Sequence, residues 1–226
     1  MTKIIDLTTP LGEDYCTVLS GHPAIEYEMI HTHEKNRRTN AWIKFSVHVG
    51  THIDPPYHFD PHGETIDKIP LDYLIGTAYV ARLRGKIRPG QAITAADIRD
   101  CGITAECLHN NYLIIHTGWA KEAYGTPDYY TKNPTLSEGL CEFLIASSAK
   151  GVCMDHPCDP DAHEPFDGTE CPAHRALLPH HCLLIECCSN FEAISEFRVT
   201  LYAIPLKIVN GCGGPARVFV IEDSQS

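Results

Sequence analysis

The stretch from Ala41 to His58 constrains this chain more than any other, because a regular alternation runs into two consecutive prolines. Ile43, Phe45, Val47 and Val49 take odd positions, while Lys44, Ser46, His48, Gly50, His52 and Asp54 take even ones. Successive side chains of a strand point to opposite faces, so an extended chain here buries the odd set and presents the even set together. His48, His52 and Asp54 then share one face, with the small Gly50 leaving room between the imidazoles. Nitrogen and carboxylate donors so arranged suit a divalent transition metal, zinc first and manganese as the alternative. Pro55-Pro56 and Pro61-His62-Gly63 make Asp54 to Gly63 a loop.

Two rival readings of the histidines are weaker. A zinc-protease helix needs a glutamate after the first histidine, and Val49 stands there. Val-Gly-Thr leading into Ile-Asp-Pro-Pro is also poor helix material. Isolated histidines on a solvated strand edge are common, but four donors in phase before a stiffened turn favour a metal.

Bulk properties narrow the class. The 226 residues, 43% hydrophobic and 21% charged, can bury a core without staples. Repeats, low-complexity tracts and linkers are absent, so one domain over 1–226 is expected. A net charge of −11 argues against nucleic-acid and anionic-membrane partners, which need a basic surface. No run of eighteen apolar residues occurs, and Asp6 interrupts any secretory core, so a cytoplasmic setting is expected. Eleven cysteines, with no Cys-x-x-Cys pair, read as reduced core residues, Cys141, Cys153 and Cys187 among them.

Short β-rich runs predict strands at Lys3–Leu7, Ala41–Val49, Thr77–Leu83, Tyr112–His116, Gly151–Met154, Cys182–Cys187, Thr200–Ile208 and Arg217–Ile221. Thr135 and Glu138 have capping-box spacing ahead of a helix carrying Leu136, Leu140, Phe143 and Leu144, with Gly151 just past its end. Further helices are expected at Thr94–Arg99 and Pro172–Leu178. The mix is α/β with strands in the majority.

Glu186 stands out within Cys182–Cys188, since a carboxylate in so apolar a run needs a paired charge or a metal. A buried salt bridge is the plain alternative. Read from the residues alone, His174 is one candidate among His156, His163, His180 and His181. His116 reads as a core histidine. Asp155 could orient a metal-bound imidazole or cap the turn that follows it.

His48-x-Gly50-Thr51-His52-x-Asp54-x-Pro56-x-His58 resembles the signature of the metal-dependent cyclase family, which includes bacterial kynurenine formamidase and isatin hydrolase. The likeness extends to Ile4-Ile5-Asp6-Leu7-Thr8, Thr117-Gly118-Trp119, the Pro134–Leu144 helix, Gly151–Asp155 with Asp159-Pro160, and the block holding His174 and Glu186. It implies a strand-rich α/β domain of the swivelling β/β/α type with peripheral helices, assembled as a homodimer or homotetramer. It also implies one or two ions per subunit: His48, His52 and Asp54 on the first, with Asp54 bridging to a second completed by His174 and Glu186. His58 matches the family's general acid/base, a role that suits an imidazole projected back by Pro55-Pro56. The implied reaction is hydrolysis of a C–N bond in a small amide, formamide or lactam by metal-activated water.

Two departures fall where a substrate would be touched. The family's aromatic-Pro-Gly-Asp element is replaced by Tyr15-Cys16-Thr17-Val18-Leu19-Ser20-Gly21-His22-Pro23, and its Asp-Thr-Pro by Asp155-His156-Pro157. Trp42, Tyr57 and Trp119 are candidate apolar walls. Lactone or carbocycle chemistry on the same fold, and a non-catalytic metal-binding homologue, are the other classes.

Overall fold

The computed structural model describes residues 2–12, 16–19, 21–160 and 170–223; His163, Tyr15 and Ser20 lie outside the described residues. Its strands are β1 (Thr2–Asp6), β2 (Glu26–His31), β3 (Asn40–Lys44), β4 (His52–Asp54), β5 (Ile75–Arg82), β6 (Ala92–Ile93), β7 (Tyr112–His116), β8 (Thr135–Leu136), β9 (Gly151–Met154), β10 (Leu183–Glu186), β11 (Arg198–Pro205) and β12 (Gly214–Asp223). The runs at β7, β9 and β10 are buried along their whole length and have no face for water. Strands of that kind belong inside a parallel sheet covered on both sides. They lie there: β5, β7, β9 and β10 are successive parallel neighbours. Antiparallel partners flank them, β11, β12 and β1 on one side and β4 on the other.

β12 closes the sheet. It pairs with β11 along its length and also with β4, through Gly214 opposite Ile53 and Pro215 opposite His52. The result is a barrel of mixed strands. Alternation then sorts the side chains: Ile53, Ile114, Cys153 and Ile185 join the cluster drawn from all the barrel strands, with Leu201 and Val220. Leu113, Ile115, Val152, Met154 and Leu184 point the other way, onto Ile98, Leu140, Leu144 and Leu177 of the covering helices. Cys141, Cys153 and Cys187 are buried free thiols, as expected.

The helices fall near their expected places, with two corrections. Thr94 caps the helix Ala95–Asp100 in a full capping box with Asp97, and Pro172–Leu177 is helical. The third helix runs Glu138–Ala146, capped by Ser137 rather than Thr135. Thr135 is drawn into β8, which pairs in parallel with β6. Ser147 takes the C-cap, and Gly151 begins β9 instead.

Ala41–Val49 is not one strand. β3 stops at Lys44, and together with β2 it forms a separate two-stranded ribbon. Ile43 is 41% exposed, against the burial that alternation predicts. A ribbon with no second layer has no inner face, whatever its period. His116 is a core histidine, edge-on to Phe191. Asp155 does neither expected job: it accepts from the Thr117 and Gly118 amides and the Thr117 hydroxyl, tethering the turn after β7.

Candidate metal centre

Register and burial bring the donors together. With Ile53 inside the barrel, His52 and Asp54 of β4 point outward, as Leu184 and Glu186 of β10 do. Glu186 lies directly opposite His52, and Leu184 opposite Asp54. The helix Pro172–Leu177 covers this face and supplies His174. All four donors are buried, Asp54 completely.

The spacings carry the chemistry. Two ligand atoms, each about 2.0–2.1 Å from one tetrahedral ion, lie roughly 3.4 Å apart. His52 Nε2 is 3.5 Å from Asp54 Oδ1, and His174 Nε2 is 3.4 Å from Asp54 Oδ2. Glu186 Oε2 stands 3.9 Å from His52 Nε2. Asp54 Oδ2 accepts no hydrogen bond among the described residues although it is fully buried. A buried carboxylate oxygen without a partner costs several kcal/mol unless a cation meets it. The donor set therefore fits a divalent ion.

Outer partners fix each ligand. The Gly50 carbonyl can only accept, so His52 Nδ1 donates to it at 2.9 Å and leaves Nε2 for an ion. Gly50 has φ +57°, the left-handed backbone that turns the chain ahead of β4. His174 Nδ1 donates to Asp159 Oδ2 at 2.7 Å, and the Cys158 amide donates to Glu186 Oε1 at 2.7 Å. Burial pushes the Asp54 carboxyl up, but the charges of His52 and His48 and the hydrogen bond from His48 hold it well below its usual range. Burial likewise depresses His174, and the hydrogen bond to Asp159 with the nearby charges of Glu186 and Asp54 reverses this and raises it well above the ordinary value.

His48 sits differently. It belongs to a turn, and its Nδ1 donates to Asp54 Oδ1 at 2.7 Å, a hydrogen-bond separation. Burial depresses it, but the charge and hydrogen bond of Asp54 win and raise it to about 10. Its Nε2 faces Cys212 Sγ at 3.5 Å. Gly213 lies so close that an added Cβ would stand 2.5 Å from His48 Cε1. His58 follows on the short 3-10 turn Pro56–His58 and stacks on His48, centroids 3.9 Å apart. Burial and the charges of His48, His174 and His52 hold His58 down to about 3 despite the opposing pull of Asp54. It is a neutral imidazole with a lone pair to offer.

A pocket of about 390 Å³ opens above these groups, walled by Leu19, Phe59, Tyr130, Pro157 and Pro160. The expected walls are elsewhere: Trp42 and Tyr57 are exposed, and Trp119 is packed in a separate cluster with Tyr129. His180 and His181 are exposed, and neither they nor His156 joins a metal-sized cluster among the described residues. Asp159, Cys158, Cys212 and Gly213 act on the site without having been singled out for it. The signal for Gly213 was Gly211-Cys-Gly-Gly214, a run that lets backbone approach a ring.

Comparison with known proteins gives concordant results. The Cyclase family model matches residues 5–159. A kynurenine formamidase of Bacillus anthracis is 25% identical over 224 residues, spanning 97% of each chain. An isatin hydrolase structure with the product analogue thioisatinate superposes with a TM-score of 0.87 at 20% identity, over 99% of this chain and 93% of that one. A structure described as a predicted metal-dependent hydrolase from Bacillus stearothermophilus gives a TM-score of 0.76 at 25% identity, over 99% and 100%.

Proposed function

Because the chain belongs to the Cyclase family, we propose that it is a metal-dependent hydrolase acting on the C–N bond of a small amide, formamide or lactam. The observation that carries the reading is the orphaned Asp54 Oδ2, fully buried at ion-spanning distance from His174 beneath an apolar pocket. His48, His52 and Asp54 hold one ion, and Asp54, His174 and Glu186 a second, zinc in preference to manganese. A bound ion supplies Lewis acidity, polarising the amide carbonyl and bringing the pKa of water to roughly 7 in the case of zinc.

The chain's own groups do the rest. His58 takes a proton from the attacking water as oxygen bonds to the carbonyl carbon. It returns that proton to the nitrogen as the C–N bond breaks, so amine and acid leave together. Gly50 and Asp159 keep His52 and His174 in the tautomers that offer Nε2. Phe59, Leu19 and Tyr130 accept the apolar body of the substrate and exclude water from it. Lactone and carbocycle chemistry receives no separate support from these residues.

The setting is cytoplasmic: all eleven cysteines are free thiols, as a reducing compartment keeps them. No helix among the described residues is long and apolar enough to cross a membrane. The assembly is a homodimer or homotetramer joined through the β2–β3 ribbon. Tyr27, Ile30 and Ile43 stand exposed on it, and Lys35, Arg37 and Arg38 at its tip complement a chain of net charge −11. Light scattering reads the assembly directly. For the activity, elemental analysis is joined to a screen of formamides, lactams and cyclic imides. At least one metal ion per subunit with chelator-sensitive hydrolysis is expected; a chain that takes up no metal and hydrolyses none of them overturns the reading.

A further inference from the structure

We propose that Arg175 is a specificity-determining residue of this pocket, reading a carboxylate that the substrate carries one aromatic ring away from the bond to be cut. This role rests on the amide hydrolysis proposed above and narrows its substrates to amides with an apolar body and a negative charge.

The guanidinium is placed by its neighbours. Arg175 follows His174 on the helix Pro172–Leu177, so the buried imidazole and the exposed arginine leave the helix about 100° apart. Both side chains line the pocket. Arg175 Nε donates to the Glu170 carbonyl at 2.8 Å, and Cζ lies 5.2 Å from the centre of the Phe59 ring. Phe59 in turn stands 4.7 Å from His58 and 5.0 Å from His174, centroid to centroid. One phenyl ring thus separates the charge from the groups around the proposed ions. Stacking and the Nε hydrogen bond orient the guanidinium plane before any substrate arrives.

The outer edge of that plane is uncommitted. Among the described residues its two Nη groups make no hydrogen bond and no ion pair. An arginine keeps its proton, and two parallel N–H groups match a carboxylate bidentately. The neighbouring charges are occupied. Asp159 accepts from His174 and two backbone amides, Glu186 accepts from the Cys158 amide, and Glu170 is engaged elsewhere. His22 also lines the pocket, but burial and the charges of His48 and His52 oppose a charge on it. The overall field of a chain with net charge −11 does not draw anions in, so a fixed local cation has to select them.

The test compares three substrates of the zinc-loaded protein: 3-formamidobenzoate, neutral formanilide and cationic 3-formamidobenzylamine. Wild type is expected to favour the benzoate in kcat/KM by at least about tenfold, the lower end for a charged hydrogen bond at an exposed site. Arg175→Gln should erase that preference through a higher KM for the benzoate rather than a lower kcat. Arg175→Lys, which keeps the charge and loses the fork, should fall between the two. A wild-type chain that cleaves formanilide equally well, or a preference that survives Arg175→Gln, overturns the role and leaves the hydrolase reading intact. A preference for the benzylamine overturns it too, marking Glu170 as the reader. If none of the three is cleaved, calorimetric affinity for 3-formamidobenzoate decides: affinity lost in Arg175→Gln upholds the carboxylate contact without the activity, and unchanged affinity overturns it.

Discussion

β3 and β4 are neighbours in sequence and opposites in environment. β3 carries Trp42 and Ile43 at 38% and 41% exposure, while β4 buries His52 and Asp54 at 4% and 0%. Side-chain polarity predicts the reverse. The difference lies in what surrounds each strand: β3 has only β2 beside it, whereas β4 is wedged between β10 and β12 beneath a helix. Burial follows tertiary pairing, and a strand that must bury charge is one with a use for it.

The largest effect expected from breaking this contrast comes from Asp54→Asn. Losing the carboxylate shared by both proposed ions should lower turnover by at least roughly a thousandfold and strip metal, read by elemental analysis. His58→Ala sharpens the division of labour on the same face. Turnover should fall about a hundredfold to ten-thousandfold while the ions around Asp54 remain bound. Asp159→Asn weakens the support of His174 and should cost about ten- to a hundredfold in metal affinity, measured by competition with a chromogenic chelator.

Acidity tests the metal-free centre. His48 is raised from 6.5 to about 10, so its contribution to stability is complete below pH 6.5 and is lost as pH climbs through about 10. Thermal melts of chelated protein should fall across that window. Cation affinity should rise over the same range, about tenfold per pH unit for each proton displaced. The smallest effect separates the two strands directly. Ile53→Ala on the inner side of β4 should destabilise by about 3 kcal/mol. Ile43→Ala in β3 should change subunit stability by about 0.5 kcal/mol or less while weakening self-association.

Much of this was legible in the residues. β7 and β9 are delimited exactly where apolar β-branched runs meet turn residues, and Thr94 caps the helix its spacing announces. Glu186 declares itself as a charge in an apolar strand. His48, His52 and Asp54 do converge, but not because one strand carries them: the chain turns at Gly50, and only His52 and Asp54 share a strand face. Period alone cannot reveal a left-handed residue. Asp159, Cys212 and the walls Phe59 and Tyr130 come from remote loops and elements, so no local pattern marks them. Thr135 shows the limit in miniature, since a good capping spacing lost to a strand partner at β6.

The closure of the barrel by β12 sets a timetable. Ile53 waits for Gly214, 161 positions later, before the strand bearing His52 has neighbours on both sides. A ribosome emitting the chain from its amino end leaves those imidazoles unhoused until nearly the last strand emerges. Loading with metal is therefore a late event in the life of each molecule, and a nick within residues 214–223 would undo it from the far end.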